Sequence, residues 1–434
     1  MRSLLVFAIV FASLPLIVYR PYVGALMWVW VSMMNPHRLT FGAAYAFPFA
    51  MVVAITTLVA TLASSQRKPF PLTPVSLLMV AFVAWMSVTT MFALQPLDAI
   101  ADVWVQVLKT QLMLFVTMML IRGRRQIDLL IWAIVISVGY FGVKGGLWTL
   151  VTGGANRVWG PPGSWIEGNN ELGLAIAMLV PLMYYLAQTA SLRIVRYGMW
   201  AAMAMCAVAV LGTHSRGDLL ASMAAALFLG LKSRRPVVLT VVFAAALVAA
   251  ALFMPDNWTQ RMETIETYQK DASAMSRLQT WHMIWNMVLH RPIVGAGFDL
   301  ANPVLYQLYG VVPNQQVLGP HSIYMQALGE HGFVGLALYL ALGVAVWWRS
   351  GRLAARCKDL PEFAWVVLLM RMSQVSLVIF AVGGAFLGLL HYDLPYYVAA
   401  IVVLTHLTVA QSLREAPARA RSTAVAATPE ASRV

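Results

Sequence analysis

The chain has 434 residues, of which 60% are hydrophobic and only 11% charged. Soluble domains carry about a quarter charged residues, so this balance excludes an ordinary soluble protein and points to one built for a bilayer. The net charge of +13 would suit a nucleic-acid partner, but its Lys and Arg residues sit mainly in short gaps between apolar runs. There they act as an orientation signal, and nucleic acid is not expected as a partner.

In chain order, apolar runs long enough to span occur at about 3–19, 21–34, 46–63, 73–93, 100–120, 127–151, 171–189, 197–213, 217–231, 237–254, 322–348, 364–390 and 395–412. The first two are short enough to form one hairpin-like unit, so the expectation is an all-α, polytopic membrane protein with about twelve spans. No small-residue cleavage site follows the first run, and Tyr19, Arg20 and Pro21 lead straight into the second, so it reads as a retained anchor. Cys206 and Cys357 are too few and too far apart to suggest a disulfide or a thiolate metal site.

Alternate gaps are basic. Arg67 and Lys68 fill one; Arg122, Arg124 and Arg125 the next of the set; Arg193 and Arg196 another. Lys232, Arg234 and Arg235 follow, then Arg349, Arg352, Arg356 and Lys358, and finally Arg414, Arg419 and Arg421. The positive-inside rule makes these cytoplasmic and turns the gaps at 152–170, 213–216 and 255–321 to the opposite side. Arg2, Arg20 and Arg38 leave the amino terminus undecided. Residues 1–412 thus read as one transmembrane domain carrying a large helical loop at about 255–321. The Ala, Ser, Thr, Pro and Arg composition of 413–434 reads as a disordered tail.

The 255–321 loop is long enough to be functional. Arg277, Leu278, Trp281, Ile284, Trp285, Val288 and Leu289 recur at steps of three and four, which predicts an amphipathic helix resting on the membrane; Val294-Gly295-Ala296-Gly297-Phe298 then breaks it. Three outward cations stand out: Arg216 in a polar joint squeezed between two spans, Arg277 opening the loop helix, and His321 at the start of the next span. A guanidinium at a membrane boundary is costly unless paired, snorkelling or functional. Arg side chains grip phosphate oxygens in pairs and stay charged, while a histidine titrates near neutrality and can take a hydroxyl proton. Such a set suits glycosyl transfer from a lipid diphosphate without a metal. Each residue also has an ordinary reading: a snorkelling Arg216, a solvated Arg277, a capping His321.

Four stretches, in order, resemble the O-antigen ligase family. They are Gly168-Asn169-Asn170-Glu171-Leu172-Gly173-Leu174-Ala175 with Pro181-Leu182; Ser215-Arg216-Gly217; Ser276-Arg277-Leu278 with Trp281, Pro292 and Gly295-Ala296-Gly297-Phe298; and His321-Ser322 through Gln326 with Glu330-His331-Gly332-Phe333-Val334-Gly335-Leu336. Asn35-Pro36-His37-Arg38-Leu39-Thr40-Phe41-Gly42 further resembles a subgroup of O-glycosylation ligases tied to exosortase systems. Ser322 stands where the family often has Asn. The resemblance implies an inner-membrane enzyme, GT-C-like in build, with its site facing the periplasm. It would pass glycan from undecaprenyl diphosphate to a lipid A–core hydroxyl, with inversion and with no metal or other cofactor. It implies that Arg216 and Arg277 hold the diphosphate, that His321 positions or deprotonates the acceptor, and that Asn169, Asn170 and Glu171 line the site. Arg157 is a further candidate for phosphate or core-sugar contact.

Asn169 and Asn170 also suit helix capping. His282, His290 and Asp299 match no strong metal-ligand spacing; Trp159 and Trp165 read as interfacial aromatics, and His331 as helix packing. An O-antigen polymerase or a protein O-glycan ligase would share the donor site and stays open. A lipid or polysaccharide transporter would place polar groups near the midplane in two related halves, whereas here the notable charges gather at one face and no repeat is evident.

Overall fold

The computed structural model describes residues 1–64, 69–232, 253–255, 272–313 and 315–426. Among them the chain forms fifteen α-helices and no strand. These are α1 (Arg2–Tyr19), α2 (Pro21–Met34), α3 (Ala43–Ala46), α4 (Phe49–Ala63), α5 (Pro74–Met91), α6 (Leu97–Leu120), α7 (Gly123–Val151), α8 (Asn169–Thr189) and α9 (Arg193–Gly212). There follow α10 (Arg216–Lys232), α11 (Ala272–His290), α12 (Pro303–Tyr309), α13 (Ile323–Cys357), α14 (Ala364–Gly383) and α15 (Asp393–Ala426).

Among the described residues nine helices are long and apolar enough to cross a membrane: α1, α5 to α9, and α13 to α15. Shorter apolar helices α2 and α4 accompany them, and α10 occupies the run expected at 217–231. The run expected at 237–254 and residues 256–271 of the long loop lie outside the described residues, apart from 253 and 254. The helical backbone of α15 continues to Ala426, past Leu413, where composition alone ends the span; residues 427–434 are outside the described residues.

In lipid each span must satisfy its backbone internally, which is why the contiguous apolar runs among the described residues become helices. One large core joins α5 to α10 with α13, α14 and α15. The closest pairings are α7 with α9, α8 with α14, α8 with α9 and α10 with α14. A smaller cluster ties α1, α2 and α4 together through Val10, Ile17, Trp28, Val31 and Phe49. Both cysteines are free and buried.

α7 runs from Gly123 to Val151 and α8 returns from Asn169, so the 152–168 loop lies at the opposite end of the bundle from Arg122 to Arg125. That end also holds the α9–α10 joint, and it is capped by α11 and α12. The cap helix is real, but its buried face is turned from the expected one. Met283, Ile284, Met287 and Val288 are buried with Leu300, Leu305 and Leu328, whereas Trp285 is 46% and Leu289 59% exposed. The expected stripe therefore wraps around the helix: part of it packs on protein, and part faces outward where a bilayer surface would receive it.

Candidate active site

The site grows from the ends of helices. α8 is capped by Gly168 with no side-chain bond, so Asn169 does not serve as its N-cap. Its amide instead donates to the Thr213 carbonyl at 2.7 Å and to Asn170 Oδ1 at 3.2 Å, which fastens the start of α8 to the α9–α10 joint. In that joint His214 takes a left-handed φ of 57°, and its Nε2 lies 2.9 Å from the Gly154 carbonyl. The Ser215 hydroxyl accepts from the Asp218 amide at 3.3 Å, closing the first turn of α10. Arg216 is the first residue of that helix and is half-buried, so its guanidinium and the positive end of the helix dipole favour an anion at the same place. A Cβ on Gly173 would overlap the Asp218 carboxylate, so only glycine lets α8 and α10 approach this closely.

The cap supplies the second cation. Arg277 is half-buried on α11, one turn before Trp281, whose indole N–H donates to the Pro320 carbonyl at 2.8 Å. The Tyr306 hydroxyl of α12 donates to the Leu318 carbonyl at 2.7 Å and accepts from the Leu318 amide at 3.1 Å. These bonds hold the 318–321 segment against the cap. His321 follows at a φ of 41°, a conformation costly for a residue with a Cβ and one that recurs at functional sites. Ser322 then caps α13 by accepting from the Met325 amide at 3.4 Å; Ser is as able a cap as the Asn common in the family.

Electrostatics link these parts. The Arg277 charge acts on both the Glu171 carboxylate and the His321 imidazole, and Glu171 in turn acts on Asp218. Burial, and then the neighbouring Arg277, hold the His321 imidazole below its ordinary value of 6.5. His321 is thus neutral near pH 7 and can accept a proton.

Directly beyond His321 an apolar groove of about 320 Å³ opens between α13, α14 and α15, lined by Ile323, Tyr324, Tyr339, Trp347, Phe380 and Tyr396 among others. Within its lining the Tyr324 hydroxyl donates to the Ala381 carbonyl, 2.8 Å away.

The structure therefore gathers Glu171, Arg277 and His321 into one electrostatic unit and ties Asn169, with Asn170 beside it, to the joint that carries Arg216. Arg157 is exposed, one residue before Val158, whose amide donates to Gly212 at 3.0 Å; it flanks the joint rather than entering it. His282 and His290 are exposed, and His290 Nδ1 lies 2.8 Å from the Asn286 carbonyl. Among the described residues they belong to no metal-ligating group.

One buried cluster went unread in the sequence. Glu330 and His331, on α13, meet His391 from the turn before α15. Gln326 Nε2 donates to Glu330 Oε1 at 3.0 Å while its Oε1 accepts from the Leu390 amide at 3.2 Å. His331 does more than pack helices, and Trp165 does more than line an interface: its ring sits 5.8 Å from that of His391. The adjacent Glu330-His331 pair and the polar His391-Tyr392-Asp393 run between two spans were the available signals.

Residues 1–191 match a family model described as Family of unknown function (DUF5935). No curated protein matches the chain. Residues 201–340 match the family model described as O-Antigen ligase, a stretch that contains Arg216, Arg277, His321 and Glu330. The chain is accordingly a multi-pass membrane protein whose residues 201–340 match the O-antigen ligase family.

Proposed function

We propose that this chain is an O-antigen ligase that transfers glycan from undecaprenyl diphosphate to a hydroxyl of lipid A–core. The transfer takes place at the periplasmic face of the inner membrane. The observation that carries the reading is that Arg277 acts on the His321 imidazole, two residues before Ile323, which lines an apolar groove. A polyprenyl diphosphate needs that combination: apolar walls for the chain and cations for the headgroup at the membrane boundary. The basic gaps, from Arg122 to Arg125 through Arg349 to Lys358, favour placing the site away from the cytoplasm.

In the proposed step the acceptor oxygen attacks the anomeric carbon as the bond from that carbon to the diphosphate oxygen breaks. The bonding pair leaves with the diphosphate, whose growing charge Arg216, Arg277 and the α10 amino terminus neutralise. His321 accepts the acceptor hydroxyl proton and later releases it to solvent. Attack from the face opposite the leaving group inverts the configuration, and no step calls for a metal.

The test is transfer by the purified full-length chain from a defined undecaprenyl-diphosphate glycan, offered lipid A–core and a second donor together. Glycan appearing on lipid A–core supports the ligase; elongation of the second donor would identify a polymerase instead. Arg216→Ala should lower the rate by about 10²–10³-fold, as for removal of a charge-stabilising donor. His321→Ala should lower it by about 10²–10⁴-fold, as for loss of a general base. Full activity in both variants, with unchanged melting, would remove them from the mechanism.

A further inference from the structure

We propose that Glu330, His331 and His391 form a binding site for one divalent transition-metal ion of the zinc class. The three residues are 3%, 0% and 4% exposed. Each offers one ligand atom, and these atoms lie within 4.8 Å of one another.

Hydrogen bonding shows that the atoms are prepared as ligands. The Thr89 hydroxyl donates to the Met86 carbonyl at 2.9 Å, so toward His331 Nδ1, 2.8 Å away, it is an acceptor. His331 therefore carries its proton on Nδ1 and a lone pair on Nε2. That Nε2 has no hydrogen-bond partner and faces Glu330 Oε2 at 3.5 Å. Two lone pairs directed at each other in a fully buried place repel unless something positive lies between them. His391 Nε2 faces the same oxygen at 2.7 Å, while its Nδ1 is also without a hydrogen bond. Glu330 Oε1 is occupied by Gln326, leaving as the ligand atom Oε2, whose hydrogen bond to His391 Nε2 at 2.7 Å an ion would replace. A buried carboxylate needs a counter-charge, and the groups that face it here are two histidines, which carry charge only when protonated.

Ligands on one tetrahedral zinc stand roughly 3.4 Å apart, given bonds of about 2.0–2.2 Å. The 3.5 Å separation fits this, and the 2.7 Å pair would open by about 0.7 Å. Two imidazoles and a carboxylate are a known zinc set with one position open. Thr89 and Gln326 supply the outer contacts that orient such ligands. An ion here joins α5, α13 and the 387–392 turn. Gly388 of that turn lies beside His321: a Cβ on it would stand 3.7 Å from the His321 amide nitrogen. The ion is a fastening for the framework and takes no part in the transfer step.

Metal content is measured on the full-length chain in nanodiscs, so the result does not depend on the transfer reaction. After dialysis against metal-free buffer, elemental analysis should find one zinc per chain. Stripped protein refilled with Co²⁺ should show the visible bands of tetrahedral cobalt. Thr89→Val, which keeps the fold, should weaken zinc binding by about 10–100-fold, and His391→Ala should abolish the cobalt bands. Wild-type chain that retains no zinc, even after incubation with it, and gives no cobalt spectrum would overturn the site. Stoichiometric zinc in folded His391→Ala would overturn the ligand assignment.

Discussion

His321 is where local strain, burial and charge meet. Its left-handed backbone aims the imidazole from the turn before α13, and burial followed by Arg277 lowers its proton affinity. The base form exists above the folded pKa, so transfer should fall as pH drops through a value below 6.5 and stay level above it. Arg277→Gln removes one of the two causes and should move that acid limb to higher pH, besides weakening donor binding. A pH profile of kcat/KM on both proteins checks this; an unmoved limb would mean that another group titrates. Arg216, Arg277 and His321 were legible because a cation at a membrane boundary needs a reason and because three motifs in family order surround them. The approach of Arg277 to His321, 44 residues further along the chain, was not, since it depends on packing that no local pattern encodes. His391 shows the same limit: nothing in its neighbourhood announces Glu330 as its partner.

At the level of elements, α13 carries most of the burden. Its amino-terminal part bears Ser322, Gln326, Glu330 and His331, and it bends at Gly332, where φ is 69° and ψ −172°. The bend admits the 292–297 segment, whose backbone pairs with it: Phe333 donates to Pro292 at 2.8 Å, Ala296 to Gly329 at 2.8 Å and Gly297 to Glu330 at 3.0 Å. A Cβ at position 332 would meet the carbonyls of Ile293 and Pro292 and impose left-handed strain of about 1–2 kcal/mol. Gly332→Ala should therefore lower the melting temperature in detergent and reduce transfer, because the cap would lose its seat on α13. Normal melting and activity would show that the bend is dispensable. The spanning helices among the described residues were readable from apolar run length alone. The kink was not, since Glu330-His331-Gly332 sits inside a stretch whose composition continues the span. The rotation of α11 was hidden too, because Met283 and Met287 compete with Trp285 and Leu289 for the buried face.

For the molecule as a whole, two families of signal divide the chain. The O-antigen ligase match begins at residue 201, yet Asn169, Asn170 and Glu171 come from the region matched by the other model, residues 1–191. The candidate site thus draws on both matched regions of the sequence. Its placement outside the cytoplasm is open to direct measurement. With Cys206 and Cys357 replaced by alanine, Arg157→Cys and Val312→Cys should react with a membrane-impermeant maleimide supplied from the periplasmic side, and Lys358→Cys should not. The reverse pattern would place the cationic pocket in the cytosol and end the ligase proposal.

Trp285 and Leu289 point away from protein on the same short helix that bears Arg277. On the proposed function, Arg277 would therefore be moored to a fluid surface, while Arg216, at the head of α10, would be moored to the bundle. The spacing between them becomes a function of the leaflet: lipids that lift or tilt the cap widen the grip on the headgroup. Turnover would then report the thickness and crowding of the surrounding lipid, so that activity measured in micelles understates what the enzyme achieves in its own membrane.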